Sequence, residues 1–421
     1  MAHRRAENRS PDGRVSRVTR ILGWILIALF PLVIFAAAEA LTRLLDLKPP
    51  GGPRPEIPAW LDRNVLIKEE PWAGMLSDVP SDLANYYRTY AWDRYLFYRL
   101  RPGLDLPLTD ITMPPAIRPR TQWTFHTSAR GFNTDDVPFE KPPATFRIVA
   151  MGDSSTFGWG VDPGRTYARR LQDALRGEYP GAAIEVINLG VCGYSSLQGL
   201  VLLSRAAAQY QPDVVTLSYG SNDFSPVPEP FDVALARNRG WSGALREWLH
   251  MSRAYQVLSG SLRAALQGSE DDDAPAGGAA DLVLNVGPEK SEANMISMAD
   301  AVAGIGGESI FVTNCVRGEL GEPIRAAAAR TGRPLLDTEA LLEEAIPVVL
   351  AGEEPEFERY RTLYGEALLA QFPYLAVYLG DHCHPNAIGH ELIAEALVPM
   401  IEATSAFRDW RARTVVTGGQ D

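Results

Sequence analysis

Four short blocks of the sequence combine side chains that can act as nucleophile, base and anion binder. They contain Ser154 in Gly-Asp-Ser-Ser, Gly193 in Asn-Leu-Gly-Val-Cys-Gly, Asn222 in Gly-Ser-Asn-Asp, and Asp381 and His384 in Asp-His-Cys-His-Pro. Each block alone is weak, because Gly-Asp-Ser is usually a turn with a helix-capping serine. An isolated asparagine is usually a loop residue. Together the blocks supply every group that acyl transfer to a hydroxyl needs.

The chemistry predicted from these residues is nucleophilic acyl transfer. Ser154 offers a hydroxyl, and His384 is a base that can take its proton. Asp381 precedes His384 by three residues and can fix the imidazole tautomer and stabilise the imidazolium. Gly193 has no side chain to block its N–H, and the Asn222 amide offers a second donor. With the Ser154 N–H, these donors predict an oxyanion hole.

The chain between the blocks predicts a parallel sheet that brings them together. Buried strands are predicted at FRIVAMGD, IEVINLG, DVVTLSYG, SIFVTN (309–314) and PLLDTE (334–339), and helices at 165–177, 197–208, 242–267 and 385–403. Strands that alternate with helices indicate an α/β sandwich with both sheet faces covered. The first three blocks end successive strands. We therefore expect them to meet where ligands bind, beyond the carboxyl ends of the strands.

In these four blocks the sequence resembles the SGNH (GDSL-type) hydrolases. The matching segments are VAMGDSSTFG, INLGVCGYSS, GSNDF and DHCHP, in the order that the family has. The resemblance implies Ser154, Asp381 and His384 as catalytic residues, and Ser154, Gly193 and Asn222 as the oxyanion hole.

The resemblance covers about residues 145–403 and also implies the fold. It implies a three-layer αβα sandwich with a mostly parallel, flavodoxin-like sheet of about five strands. The lead segment that ends in SARGFNTDD is similar, more loosely, to that of membrane-anchored bacterial members.

Residues 21–41 predict one transmembrane anchor. Residues 21–38 carry no charge, which approaches the length that a membrane-spanning helix needs, and such a helix tolerates Pro31. Six arginines precede the segment and only three basic residues follow closely. The positive-inside rule therefore places residues 1–20 in the cytoplasm and the catalytic part outside it, on the periplasmic or cell-surface side. A cleaved signal peptide, with small residues at 36–38, and a buried soluble helix are the alternatives.

Composition divides the chain into segments. They are a basic cytoplasmic tail (1–20), the anchor (21–41), a stalk and aromatic-rich lead (42–144), the hydrolase domain (145–405) with an insertion at about 225–305, and a C-terminal tail (406–421). The aromatic rings of the lead are expected to pack on the main domain, with a membrane-surface role as the alternative. The insertion contains an acidic linker, SEDDDAPAGGAA, whose composition is typical of a mobile segment.

The charge and the scattered metal-type ligands exclude several functions. A net charge of −12 argues against nucleic-acid binding, which needs a basic face. Asp381, His382, Cys383 and His384 resemble a metal cluster, but no second ligand group stands out. We therefore expect neither a metal nor a cofactor.

The three cysteines, Cys192, Cys315 and Cys383, show no metal-ligand spacing. We expect small buried thiols, and a disulfide between two of them is the alternative.

Three functions fit the sequence. The first is a membrane-anchored serine esterase outside the cytoplasm that removes acyl groups, preferably O-acetyl, from a glycan or lipid. The second is an O-acyltransferase that passes the group from an acyl-Ser154 intermediate to an envelope or exported polysaccharide. The third is a non-catalytic, glycan-binding envelope protein. The expected partners are the acylated substrate and the membrane.

Overall fold

The computed structural model describes residues 17–45, 47, 89–110, 113, 117–227, 230–267, 283–315, 317–352 and 355–417. The chain forms two compact units, of which one holds residues 1–53 with 248–272 and the other holds the rest. Most of the predicted stalk and the acidic linker lie outside the described residues.

The first described element is helix α1, Arg17–Leu44. Its stretch Thr19–Leu44 has a mean hydropathy of 2.6, so by length and composition it can cross a membrane. The prediction of one apolar N-terminal helix is therefore confirmed at the level of a candidate span.

The lead segment forms two antiparallel strand pairs. Strand β1 (Tyr90–Asp93) pairs with β2 (Phe97–Leu100), and β3 (Leu104–Thr109) pairs with β4 (Gln122–Thr127). The strand predicted up to residue 136 is shorter, because a hydrogen bond from the Gly131 N–H to the Ser128 carbonyl turns the chain.

Several rings of the lead are buried in the core of the larger unit, among them Tyr90, Phe97, Tyr98, Trp123 and Phe125. The expectation that the lead packs on the main domain is confirmed for these rings. Trp60, Trp72, Tyr86 and Tyr87 lie outside the described residues.

Five parallel strands form the central sheet. They are β5 (Phe146–Gly152), β6 (Ile184–Asn188), β7 (Val214–Ser218), β10 (Glu308–Val312) and β11 (Leu335–Leu336), and their order is β11-β10-β7-β5-β6. Ile148 lies in register with Val186 on one side and Val214 on the other. In chain order the strands run 2-1-3-4-5, the flavodoxin-like arrangement, so the predicted fold is confirmed. A short pair, β8 (Pro226–Val227) and β9 (Val283–Leu284), closes the base of the insertion.

The remaining helices connect or cover these strands. They are α2 (Ser154–Phe157), α3 (Tyr167–Glu178), α4 (Ser196–Arg205), α5 (Phe231–Arg239), α6 (Trp241–Met251), α7 (Arg253–Gln267), α8 (Pro288–Gly304), α9 (Glu322–Thr331), α10 (Thr338–Ala351), α11 (Pro355–Tyr364), α12 (Glu366–Gln371), α13 (Ala387–Glu402) and α14 (Ser405–Thr417).

The two faces of the sheet bury alternate residues of each strand. On β5, Ile148 and Ala150 join the core under α3, α13 and α14, whereas Val149 and Met151 join the core under α4, α8 and α9. Successive side chains of a strand point to opposite faces, so an apolar strand such as β5 serves both layers.

Three predicted boundaries are corrected. The helix predicted over 242–267 is two helices, α6 and α7, separated at Ser252. The insertion is shorter than 225–305, because α8 belongs to the layer that covers the sheet. The last core helix begins at Ala387 and not at Pro385, because the Asn386 side chain caps it by accepting the N–H groups of Ile388 and Gly389.

Candidate active site

Ser154 stands where the central strand gives way to a helix. Strand β5 is buried along its whole length, and α2 begins directly after Asp153, whose carboxylate accepts the Ser155 N–H at 3.0 Å. At Gly152 a Cβ atom would lie 2.1 Å from Thr156 Oγ1 and 2.6 Å from the Ser218 carbonyl oxygen. The sharp turn that presents Ser154 therefore requires glycine at this position.

The structure brings Ser154, His384 and Asp381 together in one chain of hydrogen bonds. His384 Nε2 lies 2.7 Å from Ser154 Oγ, and His384 Nδ1 lies 2.5 Å from Asp381 Oδ2. The other carboxylate oxygen of Asp381 accepts the N–H groups of Cys383 and His384, each at 3.0 Å. Asp381 thus fixes both the imidazole and the backbone that carries it.

The loop that carries this pair is held at both ends. The Leu379 N–H donates to the His384 carbonyl at 2.8 Å, and Tyr378 forms an isolated bridge with Pro385. Asn386 is fully buried, and its Nδ2 donates to the Leu375 carbonyl at 3.0 Å. Asn386 was not singled out from the sequence, although asparagine before a helix is a common cap.

Electrostatics polarise the pair in the sense that a base requires. Burial raises the pKa of Asp381, but the charge of His384 and three hydrogen bonds lower it more, so the net pKa lies below its ordinary value. Burial lowers the pKa of His384, but the charge and hydrogen bond of Asp381 raise it more, so the net pKa lies above its ordinary value. Each partner stabilises the charged form of the other.

The loop after β6 turns back toward the serine. The Val191 N–H donates to the Gly152 carbonyl, and the Tyr194 N–H donates to the Val191 carbonyl, each at 3.1 Å. Gly193 is the third residue of this turn and has φ +81°, a conformation that type II turns reserve for glycine. Within the described part of the chain, the N–H groups of Ser154 and Gly193 donate no hydrogen bond. Both remain available for a ligand oxygen.

Asn222 lies between this loop and the residue that precedes the serine. Its Nδ2 donates to the Tyr194 carbonyl at 3.2 Å and to Asp153 Oδ2 at 3.3 Å. Next to it, Asp223 accepts the Ser196 N–H at 2.7 Å and ties the start of α4 to the Asn222 turn. Burial raises the pKa of Asp153 to about 7 and that of Asp223 to about 6.

A disulfide bond joins Cys315 to Cys383, the residue next to His384, with their Cα atoms 4.6 Å apart. Cys192 is a buried free thiol. The expectation of buried thiols is therefore right for Cys192 and wrong for the other two. The sulfur atoms and the His384 ring are close enough to share a metal ion, but sulfurs joined to each other offer no thiolate ligand.

A brace behind the catalytic loop was not predicted. His382 has φ +53°, its ring stacks on Tyr374 at 3.9 Å, and its Nε2 lies 3.0 Å from Glu343 Oε1. Arg317 pairs with Glu343 and donates to the His382 carbonyl. His382 is therefore held by a carboxylate and an aromatic ring on the outer side of the loop. No local spacing links Arg317, Glu343 and His382, so no sequence pattern could have indicated the brace.

The region that carries this geometry matches a known family. Residues 150–392, more than half of the chain, match the family model of the GDSL-like Lipase/Acylhydrolase family. No curated protein matches the chain.

Solved structures similar to the chain include three esterases or hydrolases. LAE5, an alpha/beta hydrolase enzyme from the metagenome of Lake Arreo, Spain, is 17% identical with a TM-score of 0.35, over 64% of this chain and 98% of that one. A mutant of Axe2, an acetyl-xylooligosaccharide esterase from Geobacillus Stearmophilus, is 16% identical with a TM-score of 0.36, over 62% and 95%. A two-domain esterase active on acetylated mannans is 15% identical with a TM-score of 0.36, over 63% and 50%.

Proposed function

Because the chain belongs to the GDSL-like lipase/acylhydrolase family and is a serine hydrolase of ester bonds, we propose that Ser154, His384 and Asp381 are its catalytic triad. The observation that carries the proposal is the unbroken hydrogen-bonded chain from the Ser154 hydroxyl through the imidazole to the Asp381 carboxylate. This is the arrangement that activates a serine for attack on an acyl carbon.

The reaction proceeds in two halves. Ser154 Oγ attacks the ester carbonyl carbon while His384 Nε2 takes the hydroxyl proton, and Asp381 stabilises the imidazolium. The tetrahedral intermediate collapses as His384 returns the proton to the leaving alkoxide, which leaves an acyl-Ser154 ester. Water, deprotonated by His384, then releases the carboxylic acid and restores the serine.

The carbonyl oxygen becomes an anion in both halves, and three donors are assigned to it. The N–H groups of Ser154 and Gly193 have no partner among the described residues. Asn222 Nδ2 must exchange one of its two long hydrogen bonds, and the 3.3 Å bond to Asp153 is the longer one. Donors aimed at the developing charge are worth several kcal/mol in such sites.

We propose that α1 anchors the enzyme and that the larger unit lies outside the cytoplasm. The span Thr19–Leu44 supports the anchor, and the arginines before it support the orientation. The Cys315–Cys383 disulfide is an independent argument, because disulfide bonds persist in oxidising compartments and are rare in the cytosol.

The proposed substrate is an acyl ester, preferably O-acetyl, of a glycan or lipid. An anchored hydrolase beyond the membrane meets these molecules. A purely binding role, the third function considered from the sequence, would leave the hydrogen-bonded chain at Ser154 without a purpose.

The test of the triad is a fluorophosphonate probe, which reacts with an activated serine. The wild-type chain should be labelled, and Ser154→Ala should not. Ser155→Ala is the matched control, because Ser155 is buried beside Ser154 but its hydroxyl contacts no catalytic group in the described structure. An unlabelled wild type, or labelling that survives in Ser154→Ala, would contradict the proposal.

The acyl preference can be measured separately. The rates of p-nitrophenyl esters of increasing chain length should be highest for the acetyl ester. A maximum at long chains would replace the deacetylase with a lipase. Product analysis with a sugar acceptor would show transfer instead of hydrolysis if the acyl group moves to the sugar.

The compartment can be tested by counting thiols. Denatured but unreduced protein from the native host should react with a maleimide reagent at Cys192 alone, and reduced protein should react at three positions. Three reactive thiols without reduction would remove the disulfide argument.

A further inference from the structure

We propose that α7 is a membrane-interface helix, which the end of α1 holds against the lipid through Glu39. The inference rests on the proposed membrane anchor and adds a second lipid contact to it. All of its residues lie in the smaller unit, which combines the N-terminal residues with 248–272.

Glu39 of α1 caps the first turn of α7. Its carboxylate accepts the N–H groups of Arg253 at 3.1 Å and Ala254 at 2.9 Å, and the hydroxyl of Ser252 at 2.8 Å. The first N–H groups of a helix lack partners within the helix, and the helix dipole favours a negative charge there. A carboxylate far away in sequence therefore fixes where α7 begins.

Further contacts join the same two regions. Arg253 Nε donates to the Leu47 carbonyl at 2.7 Å, and the rings of Phe35 and Trp248 are 5.0 Å apart. Thr42 is the one buried residue among the described positions of α1. The contacts lie at the C-terminal end of α1, where a span that begins near residue 19 leaves the hydrocarbon layer.

The outer face of α7 is apolar. Leu258 is 70% exposed and Leu262 is 58% exposed, and Ala265 is exposed in line with them at helical spacing. Trp248 and Met251, just before α7, are also exposed. The same helix carries polar residues at Arg253, Gln256 and Ser259. A helix that combines an exposed leucine face with polar residues, next to a tryptophan, is typical of the membrane interface.

The occupant of this face is lipid because it continues the surface of α1. From Leu29 to Ile34 the large side chains of α1 are all about half exposed or more, and only a bilayer can cover such a helix. α7 is clamped to the end of that surface with its leucines uncovered. A bilayer that takes up α1 therefore reaches Leu258 and Leu262.

The test uses the full chain in vesicles of phosphatidylethanolamine and phosphatidylglycerol. Spin labels are attached to Leu258→Cys, to Leu26→Cys within α1, and to Val348→Cys on α10. Val348 is the matched control, because it is an aliphatic side chain of the larger unit that is 71% exposed, close to the value for Leu258. Collisions with oxygen, which concentrates in lipid, are compared with collisions with a water-soluble nickel chelate.

The oxygen-to-nickel ratio should be several-fold higher at positions 258 and 26 than at 348. A lipid-type ratio at 26 with a water-type ratio at 258 would overturn this inference alone and leave the anchor intact. Water-type ratios at both would overturn the anchor as well. Protection of position 258 from both reagents would indicate a protein partner, such as a second copy of the chain, and would also overturn the inference.

The role of Glu39 is tested in the same vesicles. Glu39→Ala should lower the ratio at position 258 several-fold and leave position 26 unchanged. Glu247→Ala, on the preceding helix, is the control and should change neither. An unchanged ratio at 258 in Glu39→Ala would refute the clamp.

Discussion

Two carboxylates in this chain make nearly the same set of hydrogen bonds. Asp381 accepts the N–H groups of Cys383 and His384 and the ring of His384. Glu39 accepts two backbone N–H groups and the Ser252 hydroxyl. The difference lies in the third partner, because an imidazole can carry the charge that the carboxylate stabilises and a serine hydroxyl cannot. The same bonding pattern supports chemistry at Asp381 and only holds a helix end at Glu39.

The largest effect is expected when the charge of Asp381 is removed and its shape is kept. Asp381→Asn retains an acceptor for the two backbone N–H groups, so the midpoint of thermal unfolding should change little. The amide cannot stabilise the imidazolium, and kcat should fall about 10⁴-fold. Hydrolysis of p-nitrophenyl acetate measures this loss.

Glu39→Gln is the matched control for that experiment. It makes the same chemical change at the other carboxylate and should leave kcat at the wild-type value. Equal losses in the two variants would mean that Asp381 acts only by holding backbone, and the contrast between the two sites would disappear.

The donor side of the active site should show a smaller effect. Asn222→Ala removes one proposed oxyanion donor and should lower kcat by about 10²–10³-fold, with KM less affected. Asn294→Ala is a suitable control, because Asn294 donates to Ser196 on the neighbouring helix α4. A loss of similar size in Asn294→Ala would assign the Asn222 effect to packing.

The contrast between the two carboxylates also explains what could be predicted from the sequence. Asp381 and His384 are three residues apart, so a loop before a helix already brings them into reach. Ser154, Gly193 and Asn222 follow successive strands of a parallel sheet, whose topology fixes a common edge. Glu39 and Ala254 are 215 residues apart, and no periodicity encodes such a contact.

The disulfide and the brace show the same limit. Cys315 and Cys383 pair because β10 and the catalytic loop end near each other, and that depends on the packing of the last helices. Three cysteines allow three pairings, and spacing does not choose among them. The helix break at Ser252 was missed for a related reason, since the cap that stabilises the new helix end comes from α1.

The pH profile should follow the imidazole. Only neutral His384 can accept the serine proton, so kcat/KM should fall tenfold per pH unit below its pKa. Because Asp381 raises that pKa despite burial, the half-maximal pH should lie above the ordinary value of about 6.5. In Asp381→Asn the largest raising cause is lost and burial remains, so the midpoint should move to lower pH.

A second acid titrates in this range and must be separated from His384. Asp153 has a pKa of about 7, raised by burial, and lies beside Asn222. In Asp153→Asn the inflection should persist if His384 is the base. Its disappearance would assign the profile to Asp153.

The smallest expected effect is the loss of the cap on α7. Glu39→Ala removes the acceptor of two N–H groups, and a lost helix cap costs about 1 kcal/mol, or roughly a fivefold change in the local opening equilibrium. Amide hydrogen exchange at Arg253 and Ala254 should therefore accelerate by about that factor, because their bonds open without global unfolding. Exchange in β5 and the value of kcat should stay unchanged, since β5 and the catalytic residues belong to the other unit. If kcat falls with Glu39→Ala while α7 exchanges at its original rate, Glu39 has a role in catalysis that capping does not explain.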